Sequence, residues 1–253
     1  MCQLLELDKL IGGPMRTPIS ASDSEIHDKQ PNVAWHNRKE YGNVESNLDF
    51  LQKTGVLKST MNVLEIGCGH GTLLNHLIGD GYHITGVDLN YARLKQCKSR
   101  NGAIPLVNAS GENQQFRTAS FDLVLSFDVF EHMPNPDAHL QSVHQMLKPH
   151  GYYLLQTPNK WTNTVFETIR WRSFTKWRHD HCSLHNYWEL TRRMNKHGFD
   201  VQFYDIPVVN DYFKQKINAY LGTAGITALK IVNPDKLPRP LTPNFYITAK
   251  KRN

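Results

Sequence analysis

Three groups of residues in this chain have the types and spacing to do chemistry: a run of glycines, two acids that bracket it, and histidines well downstream. Gly67, Gly69 and Gly71 follow the apolar stretch Val63, Leu64 and Ile66. Glycines so spaced let a turn adopt positive φ and let a ligand lie close against the backbone. The start of the next helix adds unpaired N–H groups. The first acid, Glu65, stands two residues before the run. The second, Asp88, lies seventeen residues after Gly71, where it closes a second apolar run. An acid about twenty residues past such a loop accepts hydrogen bonds from both hydroxyls of a ribose. The pattern is E-x-G-x-G-x-G. The dinucleotide fingerprint G-x-G-x-x-G would need its third glycine at position 72, where Thr72 stands, so a nicotinamide-linked oxidoreductase is disfavoured. A glycine cluster alone is often only a turn; the two acids make this one a binding loop. His132, His179 and His181 are the candidates for moving a proton near neutral pH.

The elements that must position these residues alternate along the chain. The patterns predict strands at 63–66, up to Asp88, over Ala103–Val107, Phe121–Ser126, Tyr152–Thr157 and Phe199–Tyr204, and a late one over Phe245–Ala249. Helices are expected from about Val44 to Lys53, after Thr72, over Tyr91–Arg100, from about Pro136 to Leu147, and from Tyr187 to His197, where Gly198 supplies a C-terminal cap. A further helix is expected from about Tyr212 to Leu221, before a proline-rich turn at 235–243. Strands alternating with helices imply an α/β fold with a parallel sheet, which binds ligands at the carboxyl ends of its strands.

Glu65-Ile-Gly-Cys-Gly-His-Gly71, Gly86-Val-Asp-Leu-Asn90, Ser120-Phe-Asp-Leu-Val-Leu-Ser126 and Leu147-Lys-Pro-His-Gly-Tyr-Tyr-Leu154 together resemble the class I S-adenosylmethionine-dependent methyltransferases over roughly residues 60–157. The resemblance implies a Rossmann-like fold: a mostly parallel seven-stranded sheet with an antiparallel edge strand and helices on both faces. It also implies S-adenosyl-L-methionine as cofactor, with Glu65, Gly67, Cys68, Gly69, Gly71, Asp88, Leu89, Ser110, Gly111 and Phe127 in its site. Ser110 stands where the family's usual adenine-binding aspartate is expected, so that contact departs from the pattern. The aromatic stretch before His179 and Asp180, and the later Gly198-Phe199, are similar to the ubiquinone-biosynthesis O-methyltransferase ("type 11") subgroup. That likeness implies a small-molecule or lipid-like acceptor methylated at oxygen. His132, His179 and His181 are then the catalytic candidates, and Asp180, Trp35 and Tyr41 the acceptor-binding ones. His179, His181, Cys182 and His185 follow no standard zinc spacing, and no metal is expected.

The 253 residues suit one α/β domain over 33–253, preceded by an arm over 1–32 and carrying an inserted lid at about 158–185. Net charge is +6 and the pI near 9.1, but the excess is spread along the chain and reads as an ordinary solvated surface. No apolar run is long enough to span a membrane, and the first residues lack the plan of a signal peptide. Cysteines at 2, 68, 97 and 182 share no metal-like spacing, which fits a reduced cytoplasmic compartment.

Within the insert, Trp161, Phe166, Trp171, Phe174 and Trp177 alternate with Arg170, Arg172, Lys176 and Arg178. Such a mix serves a lid, a peripheral membrane contact over 161–178, or stacking on single-stranded nucleic acid. On a helix Phe166, Ile169 and Trp177 would share a face, but Arg170 would intrude on it and Trp171 lie off it, which favours the lid. Nucleic acid ranks last. There is no Asn- or Asp-Pro-Pro-aromatic step after the fourth strand and no cysteine between 98 and 181. An RNA-modifying enzyme by another route, or a protein that binds the cofactor without catalysis, remains as the alternative.

Overall fold

The computed structural model describes residues 43–253, apart from 101, 114, 115 and 180 and the side chains of Trp177 and His179. Trp35, Tyr41, Asp180 and the arm over 1–32 therefore lie outside the described residues.

Seven strands form one sheet: β1 (Asn62–Ile66), β2 (His83–Asp88), β3 (Leu106–Asn108), β4 (Phe121–Phe127), β5 (Leu147–Pro158), β6 (Phe199–Tyr204) and β7 (Asn244–Lys251), in the order β3-β2-β1-β4-β5-β7-β6. Strand order reverses between β1 and β4, and the crevice beyond their carboxyl ends is the expected ligand position. Neighbouring residues along each central strand serve opposite faces. Leu64, Val124 and Tyr153 pack under α4 (Pro136–Met146) and α6 (Tyr187–Lys196). Val63, Leu123, Leu125 and Leu154 pack under α1 (Val44–Thr54), α2 (Thr72–Gly79) and α3 (Tyr91–Arg100). This double burial explains why the strands read as near-continuous apolar runs. Each fully buried large side chain contributes about 1.5–3 kcal/mol.

Two expectations need correction. The third strand starts at Leu106 rather than Ala103, because Pro105 has no N–H for the ladder and joins only through its carbonyl, which accepts from the Gly86 N–H at 2.9 Å. The tail helix, α7 (Asp211–Ile231), runs ten residues past Leu221; it is broken at Gly222, where φ 59° and ψ −153° leave the helical region and a second helical piece begins. The mostly parallel seven-stranded sheet with a reversed strand at its edge is as expected: β7 lies between β5 and β6 and pairs antiparallel with both. No helix among the described residues is long and apolar enough to cross a membrane.

Candidate active site

The first half of the site is backbone. Gly67, Gly69 and Gly71 all take positive φ (77°, 51° and 75°) and carry the chain from β1 into α2. A Cβ on Gly67 would stand 2.1 Å from Val129 Cγ2, and one on Gly71 2.2 Å from Cys97 Sγ, so at both positions only glycine fits. A Cβ on Gly69 would meet no protein atom nearer than Asp88 Oδ2 at 4.0 Å, so the loop is open at that point. Asp88 is the keystone: Oδ2 accepts from the Gly69 N–H and Oδ1 from the Asn90 N–H, each at 2.7 Å. A carboxylate oxygen has a second lone-pair direction, so both remain able to receive a hydroxyl.

Glu65 is buried at the end of β1, and its Oε2 has no hydrogen-bond partner. Burial first, and then the charge of Asp88, push its pKa up to about 8. An orphaned carboxylate oxygen beside an open glycine loop fits a ligand that brings a positively charged donor, as the amino acid end of S-adenosylmethionine does. Burial also raises the Cys68 thiol well above its usual range, which keeps it an uncharged wall. Leu89 is exposed just after Asp88, as an apolar contact for a ring would be, while its carbonyl is held by Asn108 Nδ2 at 2.8 Å. Phe127 turns its ring into the core against Phe50, with centroids 6.2 Å apart, leaving its backbone at the site.

The loop over 109–113 closes this half. Ser110 Oγ accepts from the Glu112 N–H at 3.3 Å. Gly111 is wedged so tightly that a Cβ would lie 2.8 Å from Ile66 Cγ2 and 3.2 Å from Met133 Cε. Its carbonyl lies 2.7 Å from Nδ1 of His139, whose Nε2 is 2.9 Å from the Tyr153 hydroxyl. Complete burial lowers His139 to about 4, so a neutral ring props the loop.

The second half is built from side chains. β4 is followed by Asp128, a non-glycine residue at φ 54°, and by a 3-10 turn over Phe130–His132. Glu131 is only 2% exposed and accepts through Oε2 from the Thr157 hydroxyl at 3.0 Å. Burial, reinforced by Asp128, pushes it up to about 8. His132 Nε2 lies 3.9 Å from Glu131 Oε1, and the His132 ring meets the His181 ring edge-on at 5.0 Å. His181 is held by Asn163, with Nδ2 and Nδ1 2.9 Å apart; burial, and then His132, lower it to about 3. The Ser183 N–H donates to the Glu131 carbonyl at 2.8 Å, which ties the two segments together.

The segment over 158–185 has its two ends joined. Asn159 and His185 make a parallel bridge, and the Asn159 amide donates to the Pro240 and Thr242 carbonyls at 2.8 and 2.9 Å. Asn159 also caps α5 (Lys160–Trp171) through the Trp161 N–H. The helix faces differ from the phasing argument. Arg170 points inward: it pairs with buried Glu167 at 3.1 Å and lies 4.7 Å over the Tyr220 ring of α7. Trp171 donates to the same Glu167 at 2.9 Å, and Phe166 meets Tyr220 edge-on at 6.0 Å. Arg170 is no intrusion, because an aromatic face and a carboxylate receive its charge. The exposed face is Trp161, Val165 and Ile169, with the Trp161 ring tilted against that of Trp188, centroids 5.5 Å apart.

His132 and His181 thus come together; His179 lies in the 3-10 turn over Lys176–His179, its side chain outside the described residues, as is Asp180. Glu131, His139 and Asn163 were not singled out from the sequence. Only Glu131 carried a signal, as the acid of the Glu131-His132 step at the end of β4.

A family profile described as "Methyltransferase domain" matches residues 34–202. A ubiquinone biosynthesis O-methyltransferase of Shewanella pealeana is 28% identical over 127 residues, covering 48% of this chain and 54% of that protein. A phthiotriol/phenolphthiotriol dimycocerosates methyltransferase of Mycobacterium tuberculosis is 33% identical over 144 residues, covering 55% and 47%. The chain spans about half the length of these curated relatives. Among solved structures, the phosphoethanolamine N-methyltransferase 2 of Haemonchus contortus, in complex with phosphomonomethylethanolamine and S-adenosylhomocysteine, superposes with TM-score 0.58 at 19% identity, over 82% of this chain and 52% of that one. An S-adenosylmethionine-dependent methyltransferase of Methanosarcina mazei gives TM-score 0.55 at 15% identity, over 79% and 97%. These structural likenesses concern the fold. With two thirds of its length inside the family profile, the chain belongs to the methyltransferase domain family.

Proposed function

We propose that the chain transfers the methyl group of S-adenosylmethionine to a hydroxyl oxygen of a small-molecule or lipid-like acceptor. The observation that carries this reading is the contact between the two halves. Val129 presses on Gly67 and Met133 on Gly111, and His132 lies on the segment between them. A group bound on the glycine loop therefore has the His132–His181 pair as its neighbour. When bound, S-adenosylmethionine supplies an electrophilic methyl on a sulfonium. The chain's own work is to hold the cofactor through Asp88, Glu65 and the loop, to enclose the acceptor under α5, and to accept a hydroxyl proton. Holding two reactants in line supplies much of the acceleration in such a displacement, and imidazole is the usual acceptor for the proton. The relatives named above as an O-methyltransferase and as a phthiotriol methyltransferase favour oxygen and a lipid-like partner. The test is product identity: the chain incubated with S-adenosylmethionine and matched long-chain phenols and amines, analysed by mass spectrometry. An O-methyl product from the phenol is expected; an N-methyl product alone, or no product with any acceptor, overturns the proposal.

A peripheral membrane contact is supported by one observation of its own. Trp161, Val165 and Ile169 form an exposed stripe on α5, Phe174 beyond it is 83% exposed, and Arg172 and Lys176 flank them in the open. Apolar side chains bordered by basic ones suit the boundary of an anionic bilayer, from which a lipid-like acceptor would be drawn.

A further inference from the structure

Lys216 carries a charge with no role in the transfer proposed above. It stands on α7 one turn before Tyr220, and its Nζ lies 5.2 Å from the centre of the Phe166 ring on α5. Phe166 and Arg170 of α5 thus meet Lys216 and Tyr220 of α7, each pair spaced one helical turn apart. Lys216 is partly buried, and no carboxylate among the described residues lies within ion-pairing distance of its ammonium. We propose that Lys216 receives an acidic group of the acceptor, a carboxylate or a phosphate, so that the molecule methylated is an anion rather than a neutral alcohol.

The acids around Lys216 are otherwise engaged. Glu167, on the facing turn of α5, accepts from Arg170 Nη1 through both oxygens at 3.1 Å and from Trp171 Nε1 at 2.9 Å. Glu131 accepts from Thr157, and with its pKa pushed up to about 8 its carboxyl is mostly protonated near neutral pH. Asp128 acts on Lys216 only at longer range. An enclosed ammonium left with an aromatic face is costly, because the ring returns only part of what water gave. Burial accordingly lowers the Lys216 pKa, against the charges of Glu167, Asp128 and Glu131, which raise it. An anionic group on a ligand supplies the missing partner, and lysine binds such a group as a point charge.

The position suits the acceptor. Lys216 acts electrostatically on both His181 and Glu131, the two residues that flank His132. Asn163, one turn before Glu167 on α5, holds His181 in place. The ammonium therefore borders the space onto which the His132–His181 pair opens, and Arg170 beside it adds to the positive potential. An acid group seated there holds the acceptor by one end and leaves its hydroxyl toward His132. The proposal rests on the acceptor-site reading above, and binding tests it without turnover.

The experiment is calorimetric binding to the full chain saturated with S-adenosylhomocysteine, using decyl-substituted phenols that carry a carboxylate, a phosphate or a methyl ester. The wild type should bind one of the two acids roughly ten- to a hundredfold more tightly than the ester, as a charge-assisted contact implies. Whichever acid is preferred identifies the group. Lys216→Met, similar in length and without charge, should lose that preference, and Lys216→Arg should keep part of it. Surface Lys214→Met, whose partner is the exposed Asp211, should keep all of it. Lys216→Met should also melt no lower than the wild type, since no internal ion pair is lost; a marked fall would give Lys216 a structural role and overturn the proposal. An unaltered preference in Lys216→Met, equal or tighter binding of the ester by the wild type, or no binding of any of the three compounds overturns it as well. S-adenosylhomocysteine affinity should be the same in all variants. Its survival beside any of those results confines the failure to Lys216, whereas no S-adenosylhomocysteine binding by the wild type would end the methyltransferase reading and this proposal together.

Discussion

The two halves of the site are built by different physics. The glycine-loop half, residues 62–113, is short-range: a strand, three glycines, a helix, and an acid that closes the next strand, with Asp88 holding Gly69 across only nineteen residues. Its geometry is written in backbone dihedrals, and glycine is required where a Cβ would collide. The histidine half gathers Glu131, Thr157, Asn163 and His181 from four separate elements. Its side chains have positions only because β4, β5 and the insert are already packed. A local motif tolerates change elsewhere, whereas an assembled constellation depends on every element that carries it.

Substitutions that hit one half alone sharpen the contrast. The largest effect is expected from His132→Ala: turnover should fall about 10²–10⁴-fold, with S-adenosylhomocysteine affinity nearly intact by calorimetry. Parallel loss of both would show that the halves are not separable. Next comes His139, the prop between them. Its folded-state pKa lies near 4 and its unfolded value near 6.5, so the unfolded chain binds the extra proton first as pH falls. Its contribution is present above about pH 6.5 and is lost on going down to about pH 4, on the order of 3 kcal/mol. Denaturant titrations at several pH values should show this slope in the wild type and a flatter one in His139→Gln, which has no ionisable ring.

Asp88→Ala should cost about 1.5–3 kcal/mol of cofactor binding, or roughly ten- to a hundredfold in affinity. The rings of the His132–His181 pair should remain in contact, as judged by unchanged chemical shifts. Equal affinity of mutant and wild type would remove Asp88 from the site. The smallest effect concerns the outer face of the cover. Each basic residue near an anionic surface is worth about 1 kcal/mol, so Arg172→Ala with Lys176→Ala should reduce sedimentation with anionic vesicles roughly thirtyfold. Arg170 is unsuitable for this test because Glu167 and Tyr220 hold it inward. Equal sedimentation of both proteins, or none of either, would leave the segment as a cover only.

Legibility followed the same division. The glycine loop, Asp88 and the helices over 91–100 and 187–196 were readable because their signals repeat at fixed short spacing: apolar periodicity, glycine at forced turns, and the cap at Gly198. The second piece of α7 was missed because Gly222 looks like a stop, yet the helix resumes after it. The insert was misjudged at Arg170 for a related reason. Hydropathy alone assigns a guanidinium to solvent, and nothing local reveals that Glu167 and Tyr220 wait to receive it.

The sequence by itself determined the order of strands and helices, the glycine loop after β1 and the acid that closes β2. Each depends on neighbours along the chain, where spacing and backbone conformation are set by residue type. Only the tertiary structure decided that β7 reverses beside β5, that His139 props Gly111, and that Glu131, His132 and His181 meet. Contacts across fifty residues are selected by the joint burial of many side chains, and no single spacing in the chain encodes that sum.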